Sequence, residues 1–137
     1  MNLMMYHCML IVTDGDIHDM TQTTDLIIEL SKYPVSIIII GVGEDSFDKM
    51  KQLDSDDRVL RGSKGQSALR DIVQFVKFAD FTAKGMSALA EEVLKELPDQ
   101  IVGYMLANGI KPAKVDFHSA EALMMQANIG AHLVSRL

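Results

Sequence analysis

The fold is decided around residues 9–19, which read MLIVTDGDIHD. Residues 8–12 are all apolar, and so short a run predicts a buried β-strand rather than a helix. The strand hands over to a loop at Thr13 and Asp14. Ligands of open α/β sheets bind just beyond the carboxyl ends of the strands, so Asp14 has the position of a metal-binding or catalytic carboxylate. Asp-Gly is also a common turn sequence, and the spacing alone leaves both interpretations open.

A helix and a second strand follow this stretch. Asp19 and Gln22 have the spacing of a capping box, and the apolar residues beyond them predict a helix over 21–32. Pro34 prevents the helix from continuing. Residues 35–42, VSIIIIGV, are mostly β-branched, which predicts a central parallel strand covered on both faces. Strand, helix and strand together form a βαβ unit.

The remaining sequence predicts further helices and one more strand. Residues 47–53 are expected to form a short helix capped by Ser46, and residues 71–78 a third strand. An apolar stripe with helical spacing covers 86–105, where Pro98 introduces a kink or begins a second helix. We therefore expect an α/β fold with three layers, in which helices flank a mainly parallel sheet.

Composition restricts the class of protein. Of 137 residues, 48% are hydrophobic and 23% charged, as in an ordinary globular protein. A formal net charge of -6 argues against a nucleic-acid partner, and no apolar run approaches the roughly 20 residues that span a bilayer. The single cysteine, Cys8, fits a reducing compartment and is expected to be a buried, inert thiol.

Other motifs for metal or cofactor chemistry are weak. The four histidines lack the spacing of zinc ligands. Gly41 and Gly43 lack the third glycine of a dinucleotide-binding loop, and so indicate a tight strand exit. The acidic residues 54–57 could bind a hard cation through oxygen atoms, but they are more typical of a solvated surface loop.

One enzymatic alternative involves Asp14 and Asp16. An apolar strand followed by Asp-Gly-Asp resembles the start of haloacid-dehalogenase-like phosphatases. That resemblance implies Asp14 as nucleophile and Asp16 as general acid/base, with Mg²⁺ at the phosphate. His18 stands where that family has Thr or Val, so the match is partial.

A wider resemblance covers residues 6–112. The order and spacing of several segments are similar to those of the copine family, in the module that resembles a von Willebrand factor A domain. These segments are 10–15, 19–23, 36–43, 47–50, 53–57, 70–76 and 97–102. We expect residues 1–112 to be the carboxyl-terminal part of such a domain and 113–137 to be a tail with a weak helical stripe.

The copine resemblance implies a protein-interaction module of a calcium-dependent phospholipid-binding protein, not an enzyme. Copines contact membrane phospholipid through C2 domains, which are absent from this chain, and the A-like domain binds protein partners. The implied location is cytoplasmic, with recruitment to the inner face of the plasma membrane in the full-length protein.

The same resemblance implies a metal-ion-dependent adhesion site. This site combines a DxSxS loop, a threonine loop and an aspartate loop, and here only the third is recognisable, with Asp14 and Thr13 as metal ligands. Mg²⁺ takes six oxygen ligands, more than these two residues supply. We expect Mg²⁺ or Ca²⁺ in the complete domain and no tightly bound ion in this chain.

Self-association is the last expectation. If the amino-terminal half of the domain is missing, the strand over residues 6–12 lacks one neighbour. It would then expose unpaired N–H and C=O groups without a charge or proline to block pairing. A two-fold dimer would cover this edge, whereas folding back of residues 117–137 would keep the chain monomeric.

Overall fold

The computed structural model describes residues 5–54 and 59–111. The elements in chain order are β1 (His7–Thr13), α1 (Met20–Leu30), β2 (Val35–Gly41), α2 (Asp48–Leu53), β3 (Val73–Lys77), a 3₁₀ helix (Phe78–Phe81), α3 (Met86–Leu94) and α4 (Leu97–Ala107). The strands form one parallel sheet in the order β1-β2-β3. This arrangement confirms the predicted α/β class with a mainly parallel sheet.

Helices cover both faces of the sheet at β2 and β3. On one face, α1 and α2 share a core with the sheet and its flanking residues. The core contains Ile27, Val35, Ile37, Ile39, Phe47, Met50, Leu53, Ile72, Val73 and Phe75. On the other face, α4 contacts β2 and α3 contacts β3. β2 is therefore the covered central strand that its β-branched run predicted, with Ile38 only 4% exposed.

β1 is a strand, as predicted, but the expectation that it is buried was wrong. Residues 7–12 are all exposed, and no β1 side chain belongs to the core cluster in the described part of the chain. The physical reason is that the buried cluster formed with the helices lies over β2 and β3, whereas β1 stands beside it at the edge of the described sheet. Cys8 is consequently exposed as well, which corrects the prediction of a buried thiol.

The ends of α1 and β3 differ slightly from the predicted ones. The Asp19 carboxylate caps α1 by accepting a hydrogen bond from the Gln22 N–H, as expected. The helix ends at Leu30, two residues before the predicted end, and the hydroxyl of its C-cap Ser31 donates to the carbonyl of Ile28 at 2.7 Å. β3 is shorter than 71–78: the Asp71 carboxylate accepts from the N–H of Val73 before the strand begins.

The stripe over 86–105 is divided into two helices. α4 begins at Leu97, so Pro98 is its second residue rather than its first. Proline is tolerated there because the first N–H groups of a helix have no intrahelical acceptor. None of the helices within residues 5–54 and 59–111 is long and apolar enough to cross a membrane. The expected tail over 113–137, with its weak helical stripe, lies outside the described residues.

Candidate functional site

The predicted site lies at the carboxyl edge of the sheet. Thr13, Gly41 and Lys77 stand side by side there at the ends of the three strands. Asp14 follows Thr13 directly, and its side chain is exposed. Within the described residues no hydrogen bond or ion pair engages its carboxylate. Asp14 is thus presented to solvent at the edge where α/β proteins bind ligands.

Thr13 is less open to a metal ion than the sequence predicted. Its hydroxyl donates to the carbonyl oxygen of Gly15 at 3.0 Å and lies 3.4 Å from the Gly15 N–H. These contacts close a tight turn over Asp14, which supports the turn interpretation of Asp-Gly. The hydroxyl would have to leave this turn, or share it, in order to coordinate a cation.

Asp16 is turned away from Asp14 and holds α2. Its carboxylate accepts hydrogen bonds from the N–H groups of Ile17, Lys49 and Met50 at 2.9, 3.1 and 3.2 Å. Two of these donors belong to the first turn of α2, whose N–H groups have no intrahelical acceptors. The helix is therefore capped across the chain by Asp16, and the expected Ser46 cap was wrong: α2 has Phe47 as its N-cap and no cap from that residue's side chain.

The environment of Asp16 keeps it ionised. Desolvation by burial raises the pKa of the carboxyl, but the N–H donors of Lys49, Ile17 and Met50, together with the nearby Lys49 charge, outweigh it and hold the pKa below its ordinary value. A carboxylate with a low pKa that is already bound by three donors is poorly suited to exchange protons with a substrate. The geometry therefore gives the phosphatase alternative no acid/base at this position.

The exit of β2 is tight for a steric reason. A Cβ atom on Gly41 would lie 3.0 Å from the ring of Phe47, which is fully buried and has a left-handed backbone with φ 54°. The Lys77 ammonium lies 5.6 Å from the centre of the same ring and donates to the carbonyl of Asp45 at 2.7 Å. Gly41 thus serves packing, in agreement with the predicted strand exit.

Asp54 is a structural residue of the fold. Its carboxylate accepts from the N–H of Phe75 at 3.0 Å and is half-buried, which corrects the prediction of a solvated loop at this position; residues 55–57 lie outside the described chain. Oxygen atoms of Asp54, Asp71 and Glu96 all lie within 4.8 Å of one another. Each of the three has interaction partners within the fold. No local signal could predict this group, since its members are far apart in sequence.

At the opposite, amino-terminal edge of the sheet, Arg70 joins the beginnings of the strands. Its guanidinium donates to the Tyr6 hydroxyl at 3.0 Å and to the carbonyl of Val35 at 2.7 Å. It also lies 5.7 and 5.1 Å from the ring centres of Tyr6 and Tyr104, within the range of cation–π attraction. This role of Arg70 was not predicted, because its partners are distant along the chain.

Asp25 is a second residue whose role was not predicted from the sequence. From α1 it accepts hydrogen bonds from the side chain and N–H of Ser63 at 2.6 and 2.8 Å and from the Gln66 amide at 2.9 Å. The two bonds from Ser63 are the chief cause of its lowered pKa. Asp25 therefore anchors the loop before β3. A polar residue beside the apolar face of a predicted helix was its only visible signal.

Comparison with known proteins gives one concordant result. The family model described as Copine matches residues 1–113. The curated protein Copine-B of Dictyostelium discoideum is 50% identical over 109 residues, which make up 78% of this chain and 20% of that protein. The chain therefore spans about a fifth of the length of this curated relative.

Proposed function

Because the chain belongs to the copine family, we propose that it is a protein-interaction module of a copine-like protein and that it catalyses no reaction. The observation that carries this proposal is the exposed apolar strand β1, which ends at the exposed carboxylate of Asp14. Contiguous exposed apolar surface marks sites of interaction with proteins, membranes or ligands.

The exposure of several large apolar side chains supports an interaction surface. Met9, Leu10 and Val12 are 50%, 60% and 60% exposed, although strand residues of this type normally pack against a helix or another sheet. On α4, Val102 and Leu106 stand one turn apart and are also more than half exposed. Burying such side chains against a partner removes apolar area from water, which is the main driving force of association.

The donor set at Asp14 does not fit an independent metal site. One free carboxylate and a hydroxyl already bonded to Gly15 offer Mg²⁺ few protein ligands, so water would have to fill most of its six-oxygen shell and binding would be weak. Asp16 adds no ligand, because it is committed to α2. We propose that Mg²⁺ or Ca²⁺ binds in the complete copine domain, where other loops or an acidic partner add ligands. This chain alone then binds no ion tightly.

Phospholipid contact is proposed to depend on C2 domains outside this chain, and the full-length protein to be cytoplasmic and recruited to the inner face of the plasma membrane. Sedimentation with phosphatidylserine vesicles in the presence and absence of Ca²⁺ tests whether this chain binds phospholipid without C2 domains. We expect the chain to stay in the supernatant in both cases. Calcium-dependent sedimentation of the chain alone would contradict it.

The interaction proposal is tested by affinity capture with two matched variants. Leu10→Lys places a charge on the exposed strand, and Met86→Lys places the same charge at the start of α3, where the side chain is 70% exposed. Proteins captured by the wild type and Met86→Lys but lost with Leu10→Lys are then purified, and their affinity is measured directly. If no purified protein shows this pattern, the module proposal fails.

A further inference from the structure

We propose that β1 is a homodimerisation strand, which pairs antiparallel with β1 of a second copy so that Leu10 faces its own counterpart. This inference goes beyond the proposed function, because it concerns the purified chain without any other protein. It is carried by the direction of the backbone groups on β1, by the charges beside the strand and by the length of strand that is available.

The inner and outer backbone groups of β1 can be assigned from its pairing with β2. The N–H of His7 donates to the carbonyl of Pro34, and the carbonyl of Thr13 accepts from Val42, both at 2.8 Å. In a parallel ladder, alternate residues bond to the same neighbour, so residues 7, 9, 11 and 13 face β2. The N–H and C=O groups of Cys8, Leu10 and Val12 therefore point away from the sheet.

Among the residues that the structure describes, this outer edge shows none of the features that normally prevent strand pairing. Natural edge strands are protected by charged side chains, proline, bulges or a covering element. Residues 7–13 contain no proline and no Lys, Arg, Asp or Glu, and they pair with β2 in an unbroken register. An unprotected edge with exposed apolar side chains is a template for a further strand.

The distribution of charge permits a second copy at this strand and favours the antiparallel direction. The chain carries a net charge of -6, but the strand itself is neutral, so two copies can meet here without local repulsion. Antiparallel pairing about Leu10 places the two Asp14 carboxylates at opposite ends of the interface. They are eight residues apart at about 3.4 Å per residue, or about 27 Å, well beyond the screening length of roughly 8 Å at physiological salt. A parallel pair would bring them together.

The position of the two-fold axis follows from the outward groups. With Leu10 opposite its counterpart, Cys8 of one copy faces Val12 of the other, so every outward group of the strand finds a partner. A shift by two residues in one direction would use the backbone of Tyr6, which precedes the strand. A shift in the other direction would use Asp14, in the turn closed by Thr13 and Gly15.

The inference is tested with the purified chain by sedimentation equilibrium and by amide hydrogen exchange at several concentrations. We expect a dimer of the 15.2 kDa chain at micromolar concentration. The amides of Cys8, Leu10 and Val12 should become protected as the dimer forms, while Met9 and Ile11 should be protected at every concentration. This alternation distinguishes strand pairing from association through another surface.

Two variants at one residue test the same contact in different ways. Leu10→Lys adds a charge, and Leu10→Pro removes an N–H that points away from β2, so neither removes a hydrogen bond of the fold. Both should weaken dimerisation by at least about tenfold, whereas Met86→Lys should leave it unchanged. Circular dichroism of each variant shows whether it is folded, and the exchange pattern of the wild type does not depend on any variant.

Two outcomes would overturn the inference. A monomer whose outward amides exchange rapidly at all concentrations would show that the edge stays unpaired. A monomer in which they are protected at all concentrations would show that another segment of the same chain covers them. The first outcome leaves β1 exposed, so the interaction module would survive the failure of the dimer. The second outcome would remove the exposed strand on which both proposals rest.

Discussion

β1 and β2 are neighbouring strands of similar composition, but β1 is exposed to solvent and β2 is buried. Ile11 of β1 and Ile39 of β2 are direct partners in the parallel register, yet Ile11 is 38% exposed and Ile39 only 4%. Both strands consist largely of residues that favour extended backbone. Composition thus determines whether a strand forms, whereas the position of the strand in the sheet determines whether its side chains are buried.

The largest effect should come from truncating this isoleucine pair. Ile39→Ala leaves a cavity between the sheet and its helices and should lower the free energy of unfolding by about 2–5 kcal/mol. Ile11→Ala should cost less than about 1 kcal/mol, because much of its side chain is already in water. Urea unfolding at concentrations where the chain is monomeric measures both. Equal losses would mean that β1 is covered by residues outside the described chain.

Gly41, the last residue of β2, and Gly15, which lies two residues after β1, extend the comparison to a smaller effect. Gly41→Ala presses a methyl group against the buried ring of Phe47 at 3.0 Å and should destabilise the fold by about 1–3 kcal/mol. Gly15→Ala meets no heavy atom within 4 Å and should change stability by less than about 0.5 kcal/mol. Thermal unfolding of the two variants provides the measurement. A Gly15→Ala loss as large as that of Gly41→Ala would refute the steric explanation.

Features that depend on residues close together in the sequence were predicted well, whereas features that depend on contacts between distant residues were not predicted. The β-branched run predicted β2 and its burial, and the spacing of Asp19 and Gln22 predicted the cap of α1, because both effects act within a few residues. The exposure of β1 depends on what lies beside it, which no residue of the strand encodes. Asp16 caps α2, and Arg70 joins the beginnings of the strands. Both roles depend on hydrogen bonds between residues more than thirty positions apart in the sequence.

The two aspartates after β1 provide a comparison with a smaller, pH-dependent effect. Asp16→Ala removes the acceptor of three N–H groups and should lower the urea midpoint at neutral pH, while Asp14→Ala should leave it unchanged. The pKa of Asp16 in the folded chain lies below its ordinary value of 3.8. Its stabilisation is therefore present above that value and lost as the pH falls through the lowered pKa.

Urea midpoints of the wild type and both variants across the acidic range test this relation. The difference between the wild type and Asp16→Ala should be constant from neutral pH down to about pH 5 and then disappear. A difference that persists at the lowest pH would assign the loss to packing instead of to the ionised carboxylate. Asp14→Ala is the matched control, because it removes an equal charge two residues away.

The smallest effect is expected for metal binding at Asp14. Calorimetric titration with Mg²⁺, Mn²⁺ and Ca²⁺ should give dissociation constants on the order of millimolar. The reason is that one carboxylate supplies only a small part of the oxygen shell of each ion, and water must supply the rest. Asp14→Ala should abolish even this signal without changing stability. Asp16→Ala should retain it, since that carboxylate points toward α2. Tight stoichiometric binding that survives Asp14→Ala would place the ion elsewhere, with the acidic residues 54–57 the first to be tested.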